Sequence, residues 1–374
     1  MVIEVLVLYI QRVILKNYRN YRDLNIQLNK GINIFYGQNA QGKTNIIESI
    51  CLASTGKSHR TQKDAELINW NSEDSRVKIE FEKEKDNKTV EIYLRKGFKK
   101  QVKLNGVRLN KIGELIGNLN TVVFSPDHMK IIKDGPSERR RFIDIILSQV
   151  KPGYYYNLVQ YLKVLEQRNI LLNEAQKNSK AINTIDIWNE QLVLYGTKII
   201  KARNEFIRNI NLFASETHER ISNGKEKLEI IYKPSVEAYE GNEKAIEKKY
   251  IDYLERFRDI DIKRGITHKG PHRDDLFLYL NNMEVKTYCS QGQQRTTLLS
   301  LKISELKYMS KETEEVPVLL LDDVFSELDM ERQKYLMEFI KGVQTVITCT
   351  DIEHMDKLKI NDTELFKVIN GTVY

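Results

Sequence analysis

The chain has 374 residues, 41% of them hydrophobic and 30% charged, with a formal net charge of +7. That balance excludes a disordered chain, allows two or three domains around a large buried core, and mildly favours a polyanionic partner such as nucleic acid. The three cysteines, Cys51, Cys289 and Cys349, are far apart and show neither zinc spacing nor a paired framework, which suits a reducing cytoplasm.

The apolar start Met1–Leu8 includes Glu4, lacks a basic flank and is too short to span a bilayer, so no membrane association is expected. Its distal part is expected to run into the first strand. Tyr9–Leu15, Leu24–Leu28 and Ile32–Tyr36 read as strands. The third leads into Gly37-Gln38-Asn39-Ala40-Gln41-Gly42-Lys43-Thr44, which fits Gly, four residues, Gly-Lys-Ser/Thr, and a helical pattern opens at Asn45. Glycine lets the backbone curl close to a phosphate chain so that successive N–H groups point inward. Lys43 then reaches the β- and γ-phosphates, the Thr44 hydroxyl holds Mg²⁺, and the helix N-terminus adds partial positive charge.

A polar, basic loop follows at Gly56–Thr61, then strand patterns at Val77–Phe81, Val90–Leu94 and Gln101–Leu104. Asn105-Gly106 predicts a hairpin into Val107–Leu109, and Thr121–Phe124 reads as another buried strand. The texture changes at Ser125-Pro126, and from there to about Arg264 the pattern is helical with strand signals almost absent. Gly135-Pro136-Ser137-Glu138 is a helix start, with Phe142, Ile145 and Ile146 as its buried face. Helical geometry then points Arg140 away from that face, with Arg139 and Arg141 flanking it. Trp188, Leu192, Tyr195, Ile199, Ala202, Phe206, Ile210 and Phe213 form one apolar stripe. Tyr154, Leu158, Tyr161, Leu162 and Leu165 form a second that could face it in a helical hairpin.

Strand patterns return at Leu276–Leu280, Val316–Leu321 and Val343–Cys349. An α/β phosphate-loop head, residues 1–124 and 266–374, is thus expected to be interrupted by a mainly helical arm over 125–265. The apolar run before Asp322 and Asp323 supplies the carboxylate that a phosphate loop needs: Asp322 for Mg²⁺, Asp323 to orient or deprotonate a water. Ser290-Gln291-Gly292-Gln293 precedes an apolar helix, with Ser290 as its N-cap and the helix start as a second anion site. Ser326-Glu327-Leu328-Asp329 can cap the helix after it and also resembles an interface-crossing loop, and both roles can hold together.

The order phosphate loop, insertion, Ser-x-Gly-Gln, Asp pair resembles the ATP-binding-cassette ATPases. Within them the chain resembles the RecF family of bacterial recombination mediators. The resemblance rests on Leu15-Lys16-Asn17-Tyr18-Arg19-Asn20-Tyr21, on the loop through Asn45, and on Gly56-Lys57-Ser58-His59-Arg60 and Phe124-Ser125-Pro126-Asp127. It rests further on Gly135-Pro136-Ser137-Glu138-Arg139-Arg140-Arg141, Gly270-Pro271-His272-Arg273-Asp274-Asp275, Ser290 through Arg295 and Leu321 through Asp329. It implies a cytoplasmic, weakly active ATPase in which Ser290, Gly292 and Gln293 of one copy close over the ATP and Mg²⁺ held by another. It also implies an ATP-dependent homodimer on single-stranded and duplex DNA at gap junctions, working with RecR and RecO to place RecA. Three features depart from the wider superfamily. No clear Q-loop glutamine exists, with Ser125 or Asp127 as substitutes; Thr348, Thr350 and Asp351 stand where a switch histidine is usual; and Asp323 replaces the commoner glutamate.

Candidate DNA contacts are Lys57, His59 and Arg60 after the loop helix and Arg139, Arg140 and Arg141 on the first arm helix. His272 and Arg273 could instead lie near the nucleotide or brace the signature segment. A phosphate-loop kinase would need no signature motif. An ATPase-linked nuclease would need a further acidic cluster, and a transporter subunit would need a membrane partner.

Overall fold

The computed structural model describes residues 8–237, 242–350 and 363–374, with the side chains of 179–181 outside that description. The segment before Leu8 and the switch-position Asp351 therefore lie outside the described residues. In chain order come β1 (Leu8–Tyr18), β2 (Tyr21–Gln27), β3 (Ile32–Tyr36), α1 (Lys43–Thr55), β4 (Asp74–Lys83), β5 (Asp86–Arg95), β6 (Gln101–Leu104), β7 (Val107–Arg108) and β8 (Thr121–Phe124). The middle of the chain holds α2 (Lys130–Lys133), α3 (Pro136–Val150), α4 (Pro152–Ala175), α5 (Ile185–Ile221), β9 (Leu228–Lys233), α6 (Glu243–Arg256) and α7 (Arg258–Arg264). After these come β10 (Asp275–Leu280), β11 (Met283–Glu284), α8 (Val285–Tyr288), α9 (Gln291–Thr313), β12 (Val318–Asp322), α10 (Met330–Phe339), β13 (Thr345–Cys349), β14 (Thr363–Ile369) and β15 (Thr372–Val373).

Two compact units result: residues 1–129 with 298–374, and residues 130–297. The first has two six-stranded sheets, ordered β2-β1-β4-β5-β6-β7 and β15-β14-β3-β13-β12-β8. The former is antiparallel throughout, a meander whose alternating sequence buries Val13, Leu15, Val77, Ile79, Phe81 and Ile92. In the latter, β14, β3, β13, β12 and β8 run parallel, and β12 and β13 are buried at every residue, as continuous apolar runs require. One core joins Ile46, Ile47 and Ile50 of α1 to residues of both sheets, among them Phe35, Leu320 and Val346. The Asn105-Gly106 hairpin forms, with φ of 49° and 79° at its two central residues.

The second unit is built on the antiparallel contact of α4 with α5, on α3 and α6, and on a three-stranded sheet ordered β11-β10-β9. Three expectations need correction here. The interval up to Arg264 contains β9, Leu-Glu-Ile-Ile-Tyr-Lys, which alternates buried and exposed and pairs along its whole length with β10. On α4 the buried face runs through Tyr154, Tyr161, Val164, Arg168 and Leu172, leaving Leu162 49% exposed. On α3 the buried face is Phe142, Ile143, Ile146 and Leu147, so Ile145 is 39% exposed. In both helices the stripe lies about one position from where apolar identity alone put it, because a buried arginine shares the inner face. The compact units also group the strands β10 and β11 and residues 290–297 with the helices, where the sequence texture ended the arm at 265.

Candidate nucleotide-binding site

Strand β3 ends at Tyr36, and the chain turns through residues 37–42 into α1, whose N-cap is Gly42 at φ 118°. At that φ any side chain is strained, and a Cβ on Gly42 would lie 2.5 Å from the Asn20 amide nitrogen and push that side chain out of its bonds to the loop. Ala40 is held left-handed at φ 64°, a strained conformation that a functional loop can retain when its surroundings over-determine it. Those surroundings are visible. Asn20 donates to the Gln41 carbonyl (2.7 Å) and accepts from Asn45 Nδ2 (2.8 Å), and Tyr21 donates to the Gly42 carbonyl (3.2 Å). From the opposite end of the chain, the turn after β14 donates Gly371 N to Gln41 O (3.1 Å) and Asn370 N to Gln41 Oε1 (2.5 Å).

Lys43 is buried, and its ammonium donates to the carbonyls of Gly37 (2.5 Å) and Gln38 (2.7 Å). Burial pushes its pKa down, against the charges of Asp323 and Asp322. Thr44 Oγ1 donates to Asp322 Oδ1 at 2.8 Å, and Thr348 Oγ1 donates to the same oxygen at 2.7 Å. Asp322 is thus fixed where β12 ends beside β13, with the helix-opening threonine in reach. Asp323 follows at φ 52°, its N–H shared by Thr348 Oγ1 (3.0 Å) and Thr348 O (3.2 Å). Burial raises the Asp323 pKa and the Asp322 charge adds to it, while Ser326 and Lys43 work against the rise. Two hydroxyls, one ammonium and two carboxylates therefore gather where the glycine loop meets the ends of β12 and β13. Such a donor set binds a polyphosphate and a hard divalent cation.

Behind the loop, the fully buried Glu48 of α1 accepts from Arg19 Nε (2.9 Å) and Nη2 (2.7 Å) and from Ser58 Oγ (2.6 Å). Burial alone would raise its pKa, but Arg19, Ser58 and Arg60 outweigh it and hold the carboxyl below its ordinary value. Arg60 lies 3.7 Å from Glu48 and donates to Asn45 Oδ1 at 3.1 Å, so it is half-committed to this network, whereas Lys57 is exposed. His59 has a buried Nδ1 without a hydrogen-bond partner, and burial pushes its pKa down against the charges of Glu48 and Asp322.

In the second unit, Ser290 and Gln293 cap α9 reciprocally. Ser290 N donates to Gln293 Oε1 (2.9 Å), and Gln293 N donates to Ser290 Oγ (3.3 Å), an arrangement that orders the helix entrance. Gln293 Nε2 also donates to Glu226 (2.8 Å), and Ser290 and Gly292 are exposed. In the first unit, Asp329 caps α10 through Arg332 N (3.0 Å), so the capping role of Ser326–Asp329 is real.

The arginine triplet divides. Arg139 is buried, with a two-pronged bond to Asp275 (2.7 and 2.9 Å); Arg140 donates to the Asp274 carbonyl (2.7 Å); Arg141 is exposed. The expectation that Arg140 points directly away from the buried face is therefore corrected, because Asp274 and Asp275 come up beside α3 where it sits. His272 bonds to Tyr161 (2.6 Å) and to the Thr267 carbonyl (3.0 Å), and Arg273 donates to the same carbonyl, so both brace their own unit. Asn20, Glu48 and the Asn370-Gly371 turn were not identified as site residues from sequence. The Asn20 contact to Gln41 spans 21 positions, the Glu48 contacts to Ser58 and Arg19 span 10 and 29, and the Asn370 contact to Gln41 spans 329, so no short-range pattern marks them.

Residues 9–371 match the family described as the RecF/RecN/SMC N terminal domain. The chain is 47% identical over 368 residues to the DNA replication and repair protein RecF of Acetivibrio thermocellus, covering 98% of this chain and all of that one. It is 45% identical to RecF of Clostridium tetani, covering 97% and 99%. A solved structure described as "the recombination mediator protein RecF-ATP in RecFOR pathway" superposes with a TM-score of 0.90 at 38% identity, covering 98% of this chain and 97% of the other. The Smc head domain of Pyrococcus furiosus shares the fold at a TM-score of 0.56 and 18% identity, over 98% and 95% of the two chains. With that match and the phosphate-loop geometry together, the chain belongs to the RecF family of DNA replication and repair proteins, with the mixed α/β head of the cassette-type ATPases.

Proposed function

We propose that this chain is an ATP-operated DNA-binding protein of recombinational repair and replication restart, in which ATP closes two copies on DNA and slow, DNA-stimulated hydrolysis opens them. The observation that carries this reading is the Thr44 Oγ1 to Asp322 Oδ1 contact at 2.8 Å, on the rim of the glycine loop. It joins the two halves of an Mg²⁺-ATP site across 278 positions of sequence. The solved structure described as RecF-ATP supports the same ligand, and the relatives named DNA replication and repair protein RecF support the same process.

The residues fit the ligand. Backbone N–H groups of the loop receive phosphate oxygens, and Lys43 exchanges its loop carbonyls for the β- and γ-phosphates. Thr44 and Asp322 offer hard oxygen donors of the kind Mg²⁺ prefers. ATP with its metal supplies the phosphoanhydride whose cleavage ends the closed state. Asp323, held left-handed at the strand end, orients the attacking water and accepts its proton. Ser290, Gly292 and Gln293 of a second copy present an ordered, capped helix entrance to the γ-phosphate.

DNA is held through its backbone, by Lys57, Arg60 and Arg141, with Arg139 and Arg140 serving mainly to seat α3 against Asp274 and Asp275. RecR and RecO are the partners, RecA is the protein delivered to single-strand gaps, and the cytoplasm is the site of action. Among the described residues no helix is long and apolar enough to cross a membrane.

Light scattering after size exclusion tests the reading. Wild type is a monomer without nucleotide and a dimer with ATP. Lys43→Met and Ser290→Arg stay monomeric, and Asp323→Asn holds the dimer longer. Normal dimerisation and turnover in Ser290→Arg would remove the second copy from the site.

A further inference from the structure

Most large apolar side chains of the first unit are buried, but two aromatic rings stand out in solvent on adjoining turns. Trp70 is 92% exposed and Phe98 is 66% exposed. The Trp70 turn is firmly built: Asn69 N donates to Asn17 O (2.8 Å), Asn69 Nδ2 to Arg19 O (2.6 Å), and Ser72 N to Asn69 O (2.9 Å). The Phe98 turn closes through Phe98 N to Arg95 O (3.1 Å), with Gly97 left-handed at φ 77°. The two turns are tied where β4 and β5 end, by Lys96 N to Glu73 O (3.1 Å) and Tyr93 OH to Asp74 (2.7 Å). A rigid base thus carries two rings that the fold itself does not use.

The chemistry around the rings distinguishes between occupants. A protein interface needs a contiguous apolar centre. Here Trp70 is flanked in sequence by Asn69, Asn71 and Ser72, and Phe98 by Gly97 and Lys99, so the residues that adjoin the rings along the chain are polar or small. The acidic neighbours are already engaged: Asp64 with Lys100 (2.9 Å), Glu73 with Lys96 (3.3 Å) and Asp74 with Tyr93. Arg95, its guanidinium 4.8 Å from the Phe98 ring centre, and the exposed Lys99 supply positive charge on the Phe98 turn. Separate exposed rings interleaved with cations are the elements of a single-strand platform, where bases stack on the rings and phosphates meet the cations.

We propose that Trp70 and Phe98, with Arg95 and Lys99, form a stacking site for unpaired bases of single-stranded DNA. The site reads the absence of pairing, since a duplex keeps its base faces covered, and it is indifferent to base sequence. It rests on the DNA-binding reading above and names the form of DNA that one surface takes.

The chain has two tryptophans, so Trp188→Phe leaves Trp70 as the single emitter. In that background, an oligothymidylate quenches the emission saturably, whereas heparin and a blunt, fully paired two-strand duplex leave it within a few per cent. Phe98→Ala weakens oligothymidylate binding, read by anisotropy of a labelled strand, by at least about tenfold, while duplex binding changes less than about twofold. A melting curve for each variant confirms that it folds. Anisotropy that reports strand binding with unchanged Trp70 emission overturns the stacking site and leaves the DNA-binding reading standing. Equal quenching by heparin overturns it as a charge effect, and emission that shifts with protein concentration alone assigns the rings to a contact between copies. An absence of strand binding with and without ATP overturns the DNA-binding reading as well.

Discussion

The phosphate loop of the first unit and the polar interior of the second are both crowded with charged side chains, but they spend them differently. Residues 40–42 are braced by neutral groups, Asn20, Tyr21, Gln41 and the Asn370-Gly371 turn; behind them Glu48 is paired with Arg19, but Lys43 is left with partners that a ligand can replace. Lys43 rests on two loop carbonyls that a phosphate can replace. In the second unit the charges bind each other. Arg203 donates to Asp274 (2.8 Å), Asp144 (2.8 Å) and the Pro271 carbonyl (2.6 Å), and also bonds to Tyr154 (3.0 Å). Asp274 in turn accepts from Tyr232 and Ser235 N. Burial pushes the Asp274 pKa up, with Arg203 opposing. A charge with all its partners supplied by the fold holds a segment, here Gly270–Asp275, in place; a charge with replaceable partners is available to a ligand.

The largest effect should come from breaking the closed network. Arg203→Met leaves Asp274 and Asp144 without their cation in the interior and should cost about 3–5 kcal/mol, read as a lower midpoint in urea unfolding. A loss under about 1 kcal/mol would mean that the network is not closed.

Acidification comes next. Burial first, and then the nearby Arg273 and Arg140, depress the His272 pKa from 6.5 to about 4. The unfolded chain therefore takes up a proton at pH values where the folded chain does not, and stability falls as pH drops from 6.5 to about 4. The full span is worth at most about 3 kcal/mol. His272→Gln should flatten that part of the stability profile, and an unchanged slope would assign it to other groups.

The loop side is probed by Gly371→Ala. Its φ is 73°, and the added Cβ would lie 2.5 Å from the Asn20 carbonyl oxygen. Forcing a left-handed alanine costs about 1–2 kcal/mol, and displacing Asn20 removes one of the two hydrogen bonds to the Gln41 carbonyl. ATP affinity, followed by a fluorescent analogue, should fall more than the melting temperature does, whereas a loss of stability alone would make the turn only a structural brace. The smallest effect is expected at the surface. Arg141→Glu should leave stability within about 0.5 kcal/mol and weaken DNA binding uniformly across sequences, with a shallower salt slope.

The glycine loop, the strand before it and the Asp322-Asp323 pair were legible in sequence because phosphate binding demands particular residues at fixed local spacing. The same is true of the Asn105-Gly106 hairpin and of Ser290 as the cap of α9, each contained within a few residues, whereas the returning bond from Ser290 N to Gln293 is a finding of the structure. What sequence could not decide is where each long charged side chain ends up. Arg139 and Arg141 are two positions apart in one basic run, yet one is paired in the interior and the other is in solvent, because only the packed fold brings Asp275 to α3. Likewise nothing in the residues around Trp70 tells that the folded turn leaves its ring 92% exposed. Local chemistry wrote the nucleotide site into the chain, and long-range packing alone determined which charges and rings remained free to meet a partner.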